Sequence, residues 1–218
     1  MNTRATAGSA AAVTAAALGV LVWPMVDLEA DDALAAAAVT AAADPAVGRV
    51  FICTPDKDLA QCVTGNRVVT LDRRTNTVRD EAGVRERFGV GPGSIPDWLA
   101  LVGDSADGFP GIPGWGEKSA TALLARYQHL EKIPRNGAWD VKVRGADRLM
   151  SALAEHWEHA LLFRELATLR SDATVLSGVE DLRWQGPRPE FAAMCAKMDA
   201  GSLAERAERL GAARRRSP

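Results

Sequence analysis

The chain has 218 residues, an apolar fraction of 47% and a formal charge of −2 at pH 7. That supports one large or two small domains and excludes a polar disordered chain or an overtly basic nucleic-acid binder. Cys53, Cys62 and Cys195 are odd in number and lack C-x-x-C spacing, which excludes a disulfide framework or zinc knuckle and suits reduced, buried cysteine in a cytoplasmic protein.

The N-terminal 23 residues carry one Arg and then an Ala-rich run ending LGVLVW. This has the outline of a signal peptide, but the run is mostly Ala and leads into a folded pattern. No later apolar stretch is long enough to span a membrane, so no membrane partner is expected. Residues 3–18 read as a helix that Gly19 ends, and VLVW (20–23) reads as a buried strand. A loop leads to a helix over 30–43, with acids in its first turn and Asp44-Pro45 after its end. RVFICT (49–54) reads as a second buried strand, and PDKDLAQCV as a loop with a short helix. RVVTL (67–71) and NTVRD (76–80) read as a hairpin. Buried strands alternating with helices imply an α/β fold with a parallel sheet, whose functional loops follow the carboxyl ends of strands.

Helices are expected over 81–88, 94–102, 117–127, 145–154, 156–169 and 202–211. The Gly/Pro-rich segment GVGPG (89–93) marks a boundary, giving an α/β part over 1–91, a helical part over 92–211 and a disordered Arg-rich tail over 212–218.

Acids collect at three places where the chain leaves regular structure. Glu29, Asp31 and Asp32 stand at the start of a helix, where one or two acids would serve as caps but three in four positions exceed that need. Asp56 and Asp58 follow a strand with one residue between them, so that in an extended segment both point one way. Asp104 and Asp107 precede a Gly/Pro hairpin. Each group alone is an ordinary turn or cap. Seven carboxylates brought to one site would repel, and a divalent cation relieves that repulsion. Oxygen ligands without Cys or His suit Mg²⁺ or Mn²⁺, and a pair of such ions suits phosphodiester hydrolysis. The remaining sequence carries 21 acids against 26 bases, about +5, and Arg outnumbers Lys by 21 to 5. That balance suits a polyanion partner, although it also fits a simple bias toward Arg and Ala.

The hairpin GIPGWG opens into the helix at Glu117 or Lys118. Gly111, Gly114 and Gly116 permit unusual backbone conformations, and N–H groups at the helix start can meet a phosphate, with Lys118 and Ser119 adding side-chain contacts. The plainer reading is a helix–loop–helix corner without a ligand.

The segments EADD (29–32), TPDKDL (54–59) and LVGDSADGFPGIPGWGEKSA (101–120) together resemble the bacterial 5′–3′ exonuclease and flap endonuclease family, which includes the N-terminal nuclease domain of DNA polymerase I. The resemblance runs from about residue 18 to 210. It implies a PIN-like α/β nuclease domain followed by a helical domain with a helix–three-turn–helix. It implies that Glu29, Asp31, Asp32, Asp56, Asp58, Asp104 and Asp107 are metal ligands, with Asp31, Asp32, Asp56 and Asp58 catalytic. It implies two Mg²⁺ or Mn²⁺ ions, a potassium ion in the hairpin over 108–118, and duplex, flap or 5′-end DNA as partner in replication or repair. Trp115 departs from the family pattern, where an aliphatic residue is usual, and is expected to pack inside the motif. Family members begin with roughly a hundred further residues that carry a first strand with a metal-binding Asp, a second Asp and a helical arch. No Asp or Glu occurs here before Asp27, so the α/β part is expected to be truncated. The expected activity is structure-specific 5′–3′ nuclease action by two-metal-ion catalysis. The alternative is a duplex-binding remnant that does not cleave.

Overall fold

The computed structural model describes residues 10–216. The chain divides into two compact units, one formed by residues up to Ala33 together with those from Thr174 onward, the other by Leu34–Ala173.

In the first unit, α1 (Ala10–Ala17) is the described part of the N-terminal helix, and residues 3–9 of that expectation lie outside the described residues. The expected strand over 20–23 does not form. Val20 and Leu21 are exposed, and the segment is held instead by side chains, with Trp23 Nε1 donating to the Val175 carbonyl (2.9 Å) and Trp184 Nε1 to that of Leu18 (2.7 Å). An apolar run becomes a strand only where a partner completes its backbone hydrogen bonds. Helices α8 (Pro189–Lys197) and α9 (Gly201–Arg216) pack with α1 around Phe191, Cys195 and Ala207. Helix α8 was not expected. Gly186, Pro187 and Pro189 read as breakers, yet Pro189 occupies the first turn, where a missing N–H costs nothing. Helix α9 runs through Arg216, past residue 212 where a disordered tail was expected, and Ser217 and Pro218 lie outside the described residues.

Helix α2 (Ala30–Ala43) carries the chain into the second unit. There, β1 (Val50–Ile52) pairs in parallel with β2 (Val68–Asp72), and β2 pairs antiparallel with β3 (Thr77–Arg79), so the sheet is mixed rather than parallel. The registers set Phe51 opposite Val69 and Leu71 opposite Val78. Strand β1 was expected to be buried, but it is short and at the edge, leaving Phe51 and Cys53 exposed while Ile52 joins Ala38, Leu59 and Val68 in a small core.

The larger core belongs to the helices. α3 (Glu81–Phe88) starts with Asp80 capping the Gly83 N–H and stops at Gly89, whose φ of 71° supplies the left-handed cap. α4 (Ile95–Val102) follows a short 3₁₀ turn over Pro92–Ser94 and is buried nearly all round. It packs against α5 (Glu117–Tyr127) and α7 (Trp157–Ala167), which α6 (Ala146–Glu155) precedes. Asp97 is the polar exception in α4. Its buried carboxylate meets His129 Nδ1 at 2.9 Å and the guanidinium of Arg164 at 3.4 Å, so burial does not leave it without partners.

Candidate metal centre and nucleic-acid interface

Asp58 opens a one-turn 3₁₀ helix (Asp58–Cys62) just beyond β1. Leu59 and Ala60 of that turn are buried, and this packing drags Asp58 to 6% exposure. Asp104 and Asp107 come from the turn after α4. There the backbones of Asp104 and Phe109 pair reciprocally (2.9 and 3.0 Å), and Asp104 Oδ1 accepts the Ala106 N–H at 3.0 Å. The turn depends on two glycines. At Gly103 (φ 91°) and Gly111 (φ 73°) the chain crosses itself so closely that a Cβ on Gly111 would lie 2.5 Å from the Gly103 nitrogen. Ile112 N–H then closes the crossing onto the Leu101 carbonyl at 2.9 Å.

The result brings Asp58, Asp104 and Asp107 together, with one carboxylate oxygen from each within 4.8 Å of the others. Asp56 stands beside them, exposed, accepting the Asp58 N–H on Oδ1 at 3.2 Å. Pro55, Asp56, Lys57, Arg87, Asp104, Ala106 and Asp107 line an open cleft of about 320 Å³. Glu29, Asp31 and Asp32 stand in the first unit, where Asp32 is buried and its Oδ2 accepts the Glu29 N–H at 3.0 Å. That bond gives Asp32 the capping geometry.

The charges of the cluster are poorly balanced by protein groups. Burial pushes the Asp58 carboxyl up to about 8, and a hydrogen bond to Asp107 with the negative charges of Asp56, Asp107 and Asp104 pushes the same way. Asp58 Oδ1 is buried with no hydrogen-bond partner among the described residues. Lys57 Nζ sits 2.6 Å from Asp104 Oδ2. Burial alone would raise the Asp104 carboxyl, but the Lys57 ammonium and the Ala106 N–H outweigh it and hold the group below its ordinary value. A trio of carboxylates, two of them buried, one carrying an orphaned oxygen, and two lining an open cleft, fits a hard divalent ion.

The hairpin divides its glycines by task. Gly111 is buried in the crossing just described, whereas Gly114, Gly116, Lys118 and Ser119 line a cavity of about 640 Å³. Ser119 is also the cap of α5, its Oγ accepting the Gly116 N–H at 3.1 Å and donating to the Gly116 carbonyl at 2.9 Å. Trp115 packs inside the motif at 7% exposure, with Nε1 donating to the Leu149 carbonyl at 3.1 Å. The same cavity holds Lys142, Arg144 and Arg148, which the sequence reading passed over. Their only signal was a sparse run of basic residues, KVRGADR, some twenty-five residues beyond the hairpin.

Comparison with known proteins matches both parts of the chain. The family model described as 5′–3′ exonuclease, N-terminal resolvase-like domain, covers residues 9–89, and that described as 5′–3′ exonuclease, C-terminal SAM fold, covers 90–190. The chain is 38% identical over 182 residues to DNA polymerase I of Pseudomonas aeruginosa, an alignment that takes in 80% of this chain and 19% of that protein. It is 38% identical over 143 residues to the 5′–3′ exonuclease of Aquifex aeolicus, covering 64% of this chain and 45% of that one. The chain thus spans about a fifth of the polymerase and less than half of the exonuclease. In fold it is similar to T5 5′-exonuclease with bound zinc, at a TM-score of 0.56 and 17% identity over 79% of this chain and 60% of that one. It is likewise similar to bacteriophage T5 flap endonuclease in complex with DNA and metal ions, at a TM-score of 0.54 and 18% identity over 83% and 61%. With a resolvase-like α/β part and a helical SAM-like part both matched along its length, the chain belongs to the 5′–3′ exonuclease family.

Proposed function

We propose that the protein hydrolyses phosphodiester bonds of DNA as a structure-specific 5′–3′ exonuclease or flap endonuclease, in replication or repair. The observation that carries this is the orphaned, buried Asp58 Oδ1 inside the trio with Asp104 and Asp107, in the same compact unit as the hairpin cavity. Asp58, Asp104 and Asp107 would hold the first divalent ion, Mg²⁺ or Mn²⁺. Asp56 at the cleft would add a further ligand, and the family's motif order supports Glu29, Asp31 and Asp32 as metal ligands and a second ion in the chemistry. A bound divalent ion supplies Lewis acidity at phosphorus and lowers the pKa of water.

The chain's own groups have distinct tasks. Asp58 would offer its carboxylate to a divalent ion, which would supply the counter-charge that the protein groups around it lack. Lys57 holds Asp104 ionised and aimed into the cleft before any ion arrives. The hairpin grips duplex backbone through Gly114, Gly116, Lys118 and Ser119, while Gly111 shapes it and its carbonyls offer oxygen to a potassium ion. Such contacts set register without reading sequence. The cysteine spacing, with no C-x-x-C, suits a reducing cytoplasm, and among the described residues no helix is long and apolar enough to cross a membrane.

The test is the chain as it stands, incubated with a labelled 5′-flap substrate with and without Mg²⁺. Cleavage only with the ion is expected. Binding of the substrate without cleavage at any Mg²⁺ or Mn²⁺ concentration would overturn the enzymatic reading and leave a duplex-binding module.

A further inference from the structure

Two tryptophans make the hairpin part of a larger surface. Trp115 Nε1 ties the hairpin to α6 through the Leu149 carbonyl, 3.1 Å away. Trp139 meets the Trp115 ring edge-on with centroids 6.0 Å apart, and its own Nε1 donates to the Pro134 carbonyl at 2.8 Å. These contacts dock the segment after Lys132 and the start of α6 onto the hairpin, although some twenty-five residues separate them in sequence. Trp139, Val141 and Val143 pack against the main core on one side of this segment. The alternate residues Lys142 and Arg144 are exposed and line the hairpin cavity. Arg148, one turn into α6, stands over Gly114, where a Cβ would lie 3.6 Å from its guanidinium.

The cavity therefore collects four cations, Lys118, Lys142, Arg144 and Arg148, against one acid, Glu117. None of the four forms an ion pair or side-chain hydrogen bond among the described residues, whereas Arg85, Arg126, Arg164, Arg170 and Arg183 elsewhere all pair with acids. Four like charges held around one concavity by apolar anchors repel unless an anion lies between them. Two flexible lysines and two forked guanidiniums at spaced points suit successive phosphates of a strand better than a single compact anion.

We infer that Lys142, Arg144 and Arg148 form a second phosphate-contacting bank facing the hairpin, docked there by the Trp115–Trp139 pair, so that the duplex backbone lies in a two-sided cradle rather than on the hairpin alone. The inference rests on the DNA reading above and names the residues that extend it. Trp115 acts in it as a positioning residue that carries no charge to the DNA.

The experiment measures binding of a labelled blunt duplex by fluorescence anisotropy in EDTA, across a series of KCl concentrations. Each phosphate neutralised contributes about 0.9 to the slope of log affinity against log salt. The full chain carrying Lys142→Gln, Arg144→Gln and Arg148→Gln should bind with a slope shallower by about 2 to 3. A control with Arg206→Gln, Arg209→Gln and Arg214→Gln in α9 removes the same charge and should keep the wild-type slope. Trp115→Leu keeps all four cations but loses the indole contacts, and should lower the slope while circular dichroism still reports a folded chain. An unchanged slope in the triple variant, or an equal loss in the control, overturns the cradle while leaving hairpin binding intact. No binding by the wild type at low salt overturns the DNA reading, and the cradle with it.

Discussion

Asp58→Asn should stabilise the metal-free protein, a result opposite to the usual cost of altering a buried polar residue. The folded chain keeps the Asp58 proton up to about pH 8, while the ordinary carboxyl releases it near 3.8. Between those values the folded state binds more protons than the unfolded state, so stability falls as pH rises through the interval. At pH 7 the gap from 3.8 is about three pH units, and each unit is worth about 1.4 kcal/mol, so the group costs the metal-free chain up to about 4 kcal/mol. Part of the rise comes from the hydrogen bond to Asp107 and the negative charges of Asp56, Asp107 and Asp104 rather than from burial alone, which makes that figure an upper bound. Asparagine matches the shape of aspartate, cannot ionise and pays none of this. The assay is urea unfolding of wild type and Asp58→Asn in EDTA at several pH values from 4 to 8. The difference between the two isolates Asp58 from every other titrating group. It should be near zero at the acid end and widen in favour of the variant as pH rises. Adding Mg²⁺ should raise the midpoint of the wild type and leave the variant where it was. A difference that stays flat with pH, or a variant less stable at pH 8 than at pH 4 relative to wild type, would refute the reasoning.

Other perturbations probe neighbouring parts of the site. Asp104→Ala with Asp107→Ala removes two carboxylates of the trio and should abolish Mg²⁺-dependent flap cleavage, read by gel, with duplex binding in EDTA retained. Lys57→Met removes the counter-charge that holds Asp104 below its ordinary value, so the wild type's loss of stability as pH falls below about 4 should be smaller in the variant, read by acid unfolding. Gly111→Ala needs a side chain at φ 73° with its Cβ 2.5 Å from the Gly103 backbone, and should cost well over about 1 kcal/mol in urea unfolding. Trp115→Ala empties a buried indole site and should cost about 3 to 5 kcal/mol.

Much of the architecture could be read along the chain because it is encoded locally. Asp80 and Gly89 bracket α3, the hairpin glycines precede α5, and β-branched residues mark β2 and β3. The runs VLVW and RVFICT were equally apolar, yet only the second pairs with another strand, a difference set by the partner rather than by the run. Helix α8 was hidden because Pro189 breaks a helix everywhere except at its first turn.

The sequence by itself determined which residues can take part in the chemistry: the acids stand at strand and helix ends, and Gly103 and Gly111 permit a crossing that no other residue allows. Only the tertiary structure decided how they combine. It selected Asp58, Asp104 and Asp107 as a trio because the packing of Leu59 beneath the 3₁₀ turn and of Ile112 behind the hairpin draws their carboxylates within reach of one another. It also brought Lys142, Arg144 and Arg148 to the hairpin through two indole rings. Contacts of that kind depend on the meeting of distant side chains, which no local pattern of residues records.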